Sequence, residues 1–171
     1  MARMPEIARN EENKDAYDYL HKTRGAVRGG FAITLASPDL TQRMAHVGTY
    51  VRFDSPLPKL FTELGATAIS AELENPAEVA PHSKNCRDLQ VTSALLDAVL
   101  ARTPVTAGTD DEKLVVSMAR ELVHDHKLKD STFAAAKLRL GDKGVIDMIG
   151  ALGYYAMLAV VHTALDLKPK G

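Results

Sequence analysis

The proton-handling side chains of this 171-residue chain concentrate between Leu57 and Arg87. That stretch, LPKLFTELGATAISAELENPAEVAPHSKNCR, holds acids at Glu63 and Glu78, a histidine at His82 and the only cysteine, Cys86. Glu78 and His82 stand four apart, so on one helix they share a face and can share a proton. A carboxylate beside an imidazole raises the histidine's pKa and orients its ring, as a general acid–base pair requires. The same spacing also fits an exposed Glu–His pair on a surface helix, contributing about 0.2–0.5 kcal/mol. Cys86 follows His82 by four and precedes Arg87, and a cationic neighbour would make its thiol nucleophilic. No second cysteine exists to resolve a sulfenic acid by an intramolecular disulfide, and buried lone cysteines are commonly inert.

Other candidates are scattered. Arg24, Arg28 and Arg43 can hold a substrate carboxylate or simply remain solvated. His124 and His126 are two apart and point in different directions on a helix, a poor metal pair. His162 lies in an apolar segment and reads as a hydrogen-bonded core histidine. Tyr154 and Tyr155 read as core, with one phenol available to a pocket. The sequence has no zinc-ligand spacing, phosphate-cradling glycine motif or nucleophile elbow, so no metal and no cofactor are expected.

These residues need elements to position them, and the pattern is helical throughout. Residues 1–10 read as a loose arm, followed by a helix over 13–24 anchored by Tyr17 and Leu20. Three glycines between Arg24 and Gly30 break it. Ser37-Pro38 starts the next helix with a capping hydroxyl, and Leu40, Met44, Val47 and Val51 form its apolar stripe. The helix from Leu57 to Glu74 carries the apolar stripe Leu57, Leu60, Phe61, Leu64 and Ala68. A polar stripe of Glu63, Thr67, Ser70 and Glu74 lies displaced from it. Asn75-Pro76 interrupts the ladder, and a shorter helix resumes through Glu78 to Arg87 despite Pro81. Helices follow over 91–101 and 111–126, then from a cap at Asp130-Ser131-Thr132. Gly141 and Gly144 flank a turn before a last helix, 145–165, apolar nearly all round. Its apolar core is short for a membrane span and contains Asp147 and His162, so a core helix is expected. Gly150 and Gly153 would admit a close neighbour. Covering such a helix on all sides calls for more surface than one small domain supplies, so a homo-oligomer is expected.

The bulk composition narrows the function classes. Twenty-one basic against 22 acidic residues give a net charge of -1, with 5% aromatics and no Trp. That balance makes no case for nucleic acid or an anionic membrane surface. One cysteine and a polar N-terminus without a signal-peptide core lead to the expectation of a cytoplasmic protein. The fold class expected is all-α, in one domain of helices over 25–167 preceded by an arm and first helix over 1–24.

The ordered succession Arg28-Gly-Gly-Phe-Ala-Ile-Thr-Leu-Ala-Ser-Pro-Asp-Leu40, Arg43–Phe53, Ser55-Pro-Leu-Pro, Glu63-Leu64 and Gly141–Tyr155 resembles the carboxymuconolactone decarboxylase family, which includes the alkylhydroperoxidase D-like proteins. The resemblance spans about residues 25–165. It implies an oligomeric helical bundle of the alkylhydroperoxidase D-like type, in trimers or hexamers. The family's peroxidase branch uses a glutamate, a Cys-x-x-Cys pair and a downstream histidine. Glu63 matches the glutamate and His82 the histidine, while Asn75 and Glu78 stand at the two cysteine positions, so the dithiol is absent. The other branch carries Tyr-Glu-Trp, two residues and His, and here that place reads Ala77-Glu78-Val79-Ala80-Pro81-His82. The acid and histidine are kept and both aromatics are lost. The resemblance therefore implies lyase-type acid–base chemistry on a small organic acid or lactone. Glu63, Glu78 and His82 would be the relay, with Arg28, Arg43 and Tyr154 on the substrate. Two other readings stay open: a single-cysteine antioxidant or peroxiredoxin-like protein using Cys86, and a non-catalytic oligomer.

Overall fold

A 14-residue helix, α4 (Lys59–Glu72), is buried at every position from Phe61 to Glu72. Its small residues allow this. At Gly65 a Cβ would come within 2.5 Å of Met148 Cε, so the missing side chain is what lets the last helix lie against α4. The computed structural model describes residues 2–168, and among them the other α-helices are α1 (Lys14–Arg24), α2 (Gly30–Thr34), α3 (Pro38–Thr49), α5 (Pro76–Asp88), α6 (Ser93–Leu100), α7 (Asp110–His124) and α8 (Asp130–Ala164). A π-helical turn, Tyr50–Asp54, prolongs α3. No strand occurs among the described residues, so the fold is all-α.

Helices α5, α7 and α8 pack round α4 and enclose the main core of Leu64, Ile69, Leu95, Leu96, Val115, Met118, Met148 and Leu152. A smaller core of Ala16, Leu20, Leu35 and Ala45 joins α1 to α3. By length and composition α8 could cross a membrane, yet half of its apolar window is covered by the rest of this chain. Val145, Met148, Ala151, Leu152, Tyr155 and Leu158 face inward, as in a core helix.

Several local expectations are corrected. The polar stripe of α4 does not face water: Glu63, Thr67 and Ser70 are buried, and only Glu74, beyond the helix end, is exposed. In α3, Leu40 and Val47 point outward while Met44 and Val51 are buried. The Ser37 hydroxyl makes no capping bond. Asp130, Ser131 and Thr132 do not cap α8 either. Instead Glu121, reaching across from α7, accepts the Lys129 N–H at 2.8 Å and the Thr132 hydroxyl at 2.7 Å. Gly150 and Gly153 admit no neighbour within the chain, since a Cβ on either would meet nothing within 4 Å.

The N-terminal arm is tied down rather than loose. Arg3 N–H donates to Leu165 O at 2.9 Å and Ile7 N–H to Ala32 O at 3.0 Å. Glu6 accepts the Gly29 N–H at 2.8 Å. The arm therefore strings the end of α8 to the start of α2. Met1, which the sequence also assigned to this arm, lies outside the described residues.

The expected turn at Gly141–Gly144 is a kink inside one long helix. Gly141 sits at φ 66° and ψ 176°, a region that only glycine occupies without strain. A Cβ there would meet no atom within 4 Å, so substitution is opposed by backbone geometry alone. Gly141→Ala is therefore expected to lower stability by about 1–3 kcal/mol, measured by urea denaturation. An unchanged midpoint would contradict the kink.

Candidate functional site

Helix α5 presents Glu78, His82, Asn85 and Cys86 on the face turned toward α4 and α8, all buried except the half-buried Asn85. Spacings of four, three and one make this a single helical face. Asn75 sets its register. Its side-chain oxygen caps α5 by accepting the Glu78 N–H at 3.0 Å, while its amide donates to Ala159 O at 3.0 Å and Thr163 Oγ1 at 3.2 Å on α8. One residue thus starts α5 and fixes it beside His162.

The side chains form an alternating chain of acid and imidazole. Glu63 Oε2 and His82 Nδ1 are 2.6 Å apart, and Asn85 donates to the same oxygen at 3.0 Å. His82 Nε2 faces Glu78 Oε2 at 3.4 Å. Glu78 Oε1 lies 3.1 Å from His162 Nδ1, ion-pair distance but off the line of a well-directed hydrogen bond. The Tyr155 ring stands edge-on to His82, centroids 4.7 Å apart, and closes that side.

The electrostatics follow from this packing. Burial opposes the charge on Glu78, but the two nearby imidazoles, His162 and His82, outweigh it and bring the pKa down to about 2. Glu63 is lowered in the same way, burial being overcome by His82 and Asn85. Burial also opposes charge on His82, and the two carboxylates overcome it and raise its pKa. The structure thus brings together Glu63, Glu78 and His82 from two helices.

It does not bring the other candidates to the same place. Cys86 is fully buried, and burial pushes its thiol up to about 11; the Thr67 hydroxyl lies 3.5 Å from its sulfur. The expected cationic activation is thus not realised, because Arg87 is a weaker influence than desolvation. Arg43 is exposed and pairs with Asp39 in its own helix. Tyr154 points the other way: its hydroxyl occupies the space left by Gly48 of α3, beside Arg24. His124 is held by Glu72 at 2.9 Å, together with Arg120 at 2.7 Å.

Arg28 does approach the acid–imidazole chain. It lines a cleft of about 1220 Å³ whose wall also includes Phe31, Ala77, Glu78, Pro81 and His162. The tied-down arm supplies another side. Three contributors escaped the sequence reading of the site. His162 was visible only as a polar residue in an apolar helix. Asn85 shares the face of His82 at a spacing of three, a signal available but unused. Asn75 was legible as a helix breaker and not as the clamp between α5 and α8.

No protein-family model matches the chain, and no curated protein matches it in sequence. Solved structures match it in shape. The alkylhydroperoxidase AhpD core structure, an uncharacterized peroxidase-related protein from Ralstonia eutropha, superposes with a TM-score of 0.77 at 13% identity, over 99% of this chain and 92% of that one. A peroxidase-related protein from a Silicibacter species gives 0.72 at 15% identity, over 95% and 86%. The debrominase Bmp8, in complex with 2,3,4-tribromopyrrole, gives 0.74 at 11% identity, over 97% and 91%. The chain therefore has the alkylhydroperoxidase D-like fold that its sequence resemblance implied.

The shifted pKa values carry a pH signature. A raised histidine contributes stability that is complete below its ordinary 6.5 and fades as pH rises through the folded value. A depressed glutamate contributes stability present above its ordinary 4.5 and lost as pH falls toward about 2. The stability gap between wild type and His82→Gln is expected to narrow above pH 6.5, and that between wild type and Glu78→Gln to narrow below pH 4.5. Denaturant titrations across pH read both slopes, and a gap widening in either window contradicts the assignment.

Proposed function

We propose that the protein is an acid–base enzyme acting on a small organic acid or lactone, in the manner of carboxymuconolactone decarboxylases. The reading rests on one observation: the buried Glu63–His82–Glu78 array abuts a cleft with a cation, Arg28, on its wall. Carboxylates on both sides of His82 favour its protonated form over that of a free imidazole, as a general acid requires. Arg28 forms no hydrogen bond or ion pair among the described residues, which leaves its guanidinium available to a substrate carboxylate. In a decarboxylation the bond from carbon to carboxylate breaks, carbon dioxide leaves, and the bonding electrons pass into the conjugated lactone. The imidazolium side of the relay then returns a proton to that carbon. The debrominase, with its small bromopyrrole, supports the idea that this fold can house small cyclic ligands.

The peroxidase alternative fares worse. A fully buried thiol with a pKa near 11 holds almost no thiolate at neutral pH, and no partner thiol follows it. The free, unpaired state of Cys86 accords with a cytoplasmic setting. A panel of lactone carboxylates and conjugated small acids, followed by carbon dioxide release, tests the reading. On any substrate turned over, His82→Gln and Glu78→Gln are each expected to lower kcat by about 100- to 10,000-fold, while Cys86→Ser leaves it unchanged. Loss of activity in Cys86→Ser with retention in His82→Gln would reverse the assignment.

A homo-oligomer belongs to the same proposal. Along α8 the exposed positions Ile146, Gly150, Gly153 and Val160 recur at four, three and seven, and the half-buried Met157 completes the seam. Ile146 and Val160 are 68% and 64% exposed, and the glycines leave open space for a second helix. Sedimentation equilibrium is expected to give a trimer or hexamer mass for the wild type and a smaller species for Val160→Lys. A monomeric wild type sinks this part.

A further inference from the structure

His82 and His162 are both 8% exposed, so area does not separate them. Their nitrogens do. His82 Nδ1 is taken by Glu63 at 2.6 Å, its Nε2 faces Glu78 at 3.4 Å, and His82 is not part of the cleft wall. His162 turns only Nδ1 to Glu78, and its Nε2 has no partner among the described residues. It lies on the cleft wall beside Glu78 and Gly30. We propose that His162, through its free Nε2, is the group that exchanges the proton with a ligand in the cleft, and that Glu63, His82 and Glu78 stand behind it as positioning residues. This deepens the acid–base reading and rests on it.

Two features of the chain support the assignment. A Cβ on Gly30 would lie 2.1 Å from His162 Nε2 and 2.7 Å from Cδ2, so a side chain at position 30 would occupy the imidazole's own space. The absence of one leaves that nitrogen room. Asn75, bonded to Ala159 and Thr163 on either side of His162 in sequence, holds this turn of α8 against the first turn of α5. Glu78 then stands within ion-pair distance of both histidines through different oxygens, so the charge on either imidazole is felt by the other through this shared carboxylate. The charged groups that share the cleft wall with His162 are Glu78 from α5, Arg28 from the loop before α2, Arg3 and Glu6 from the arm, and Lys168 beyond the end of α8.

Diethyl pyrocarbonate tests the inference without a substrate. An uncharged imidazole nitrogen attacks one carbonyl carbon, a carbon–oxygen bond breaks, and ethyl carbonate leaves, decomposing to ethanol and carbon dioxide. The product is an N-carbethoxyhistidine that peptide mass mapping locates. In the native full-length chain His162 is expected to be modified at a rate within about tenfold of the exposed His126, and His82 roughly 100-fold more slowly, because reaction there awaits a local opening. Equal rates at His82 and His162, or protection of His162 as deep as that of His82, overturns the proposal. On any substrate found in the lactone and acid panel, His162→Gln is expected to lower kcat at least about 100-fold with KM within threefold. Retention of kcat by His162→Gln also overturns it. The two readings fail separately. A reactive His162 in a protein that turns over no acid or lactone removes the acid–base function alone, whereas turnover that needs His82 but not His162 removes only this inference.

Discussion

Two carboxylates inside a helical core would each cost several kcal/mol if left alone. The structure depends on how that cost is met. Glu63 and Glu78 are not neutralised by arginine or lysine but by imidazoles placed between and beyond them. Imidazole differs from the other cations in that its charge can be lost near neutral pH. The core around α4 thus holds ionisable groups in a state that is stable yet able to change, with Tyr155 packed on one side of the His82 ring and the Cys86 thiol on the neighbouring turn.

The backbone around the site serves that arrangement. Asn75 ends the ladder of α4, caps α5 and grips α8, so the three helices that supply Glu63, Glu78 with His82, and His162 meet at one residue. Pro76 then starts α5 at the position where a missing N–H does no harm. Pro81 sits on the outer, exposed side of the same helix and lines the cleft. It removes one N–H from the ladder of the turn that carries Glu78 and His82, and the helix runs on through it.

On an alkylhydroperoxidase D-like fold this chain sets a helical clamp at Asn75 and, three residues on, a carboxylate between two histidines at Glu78. Cys86 lies one helical turn past His82, where the fold has closed completely.

The sequence by itself determined the longer helices, though not the short α2, because apolar spacings of three and four, proline starts and glycine stops are local signals that the backbone must obey. It also determined the pairing of Glu78 with His82, since two residues four apart on one helix have no choice but to be neighbours. The difference between local and tertiary control appears in α4, whose polar stripe is buried at Glu63, Thr67 and Ser70 and exposed only at Glu74, beyond the helix end. Only the packed structure decides which side of a helix meets water when both sides carry short side chains. Tertiary structure alone decided that Arg43 and Tyr154 leave the site and that Arg28 stays. It alone placed His162, 84 residues beyond Glu78, against the same carboxylate. Such a meeting depends on the bend at Gly141, the clamp at Asn75 and the close approach at Gly65 acting together, and no spacing along the chain encodes it.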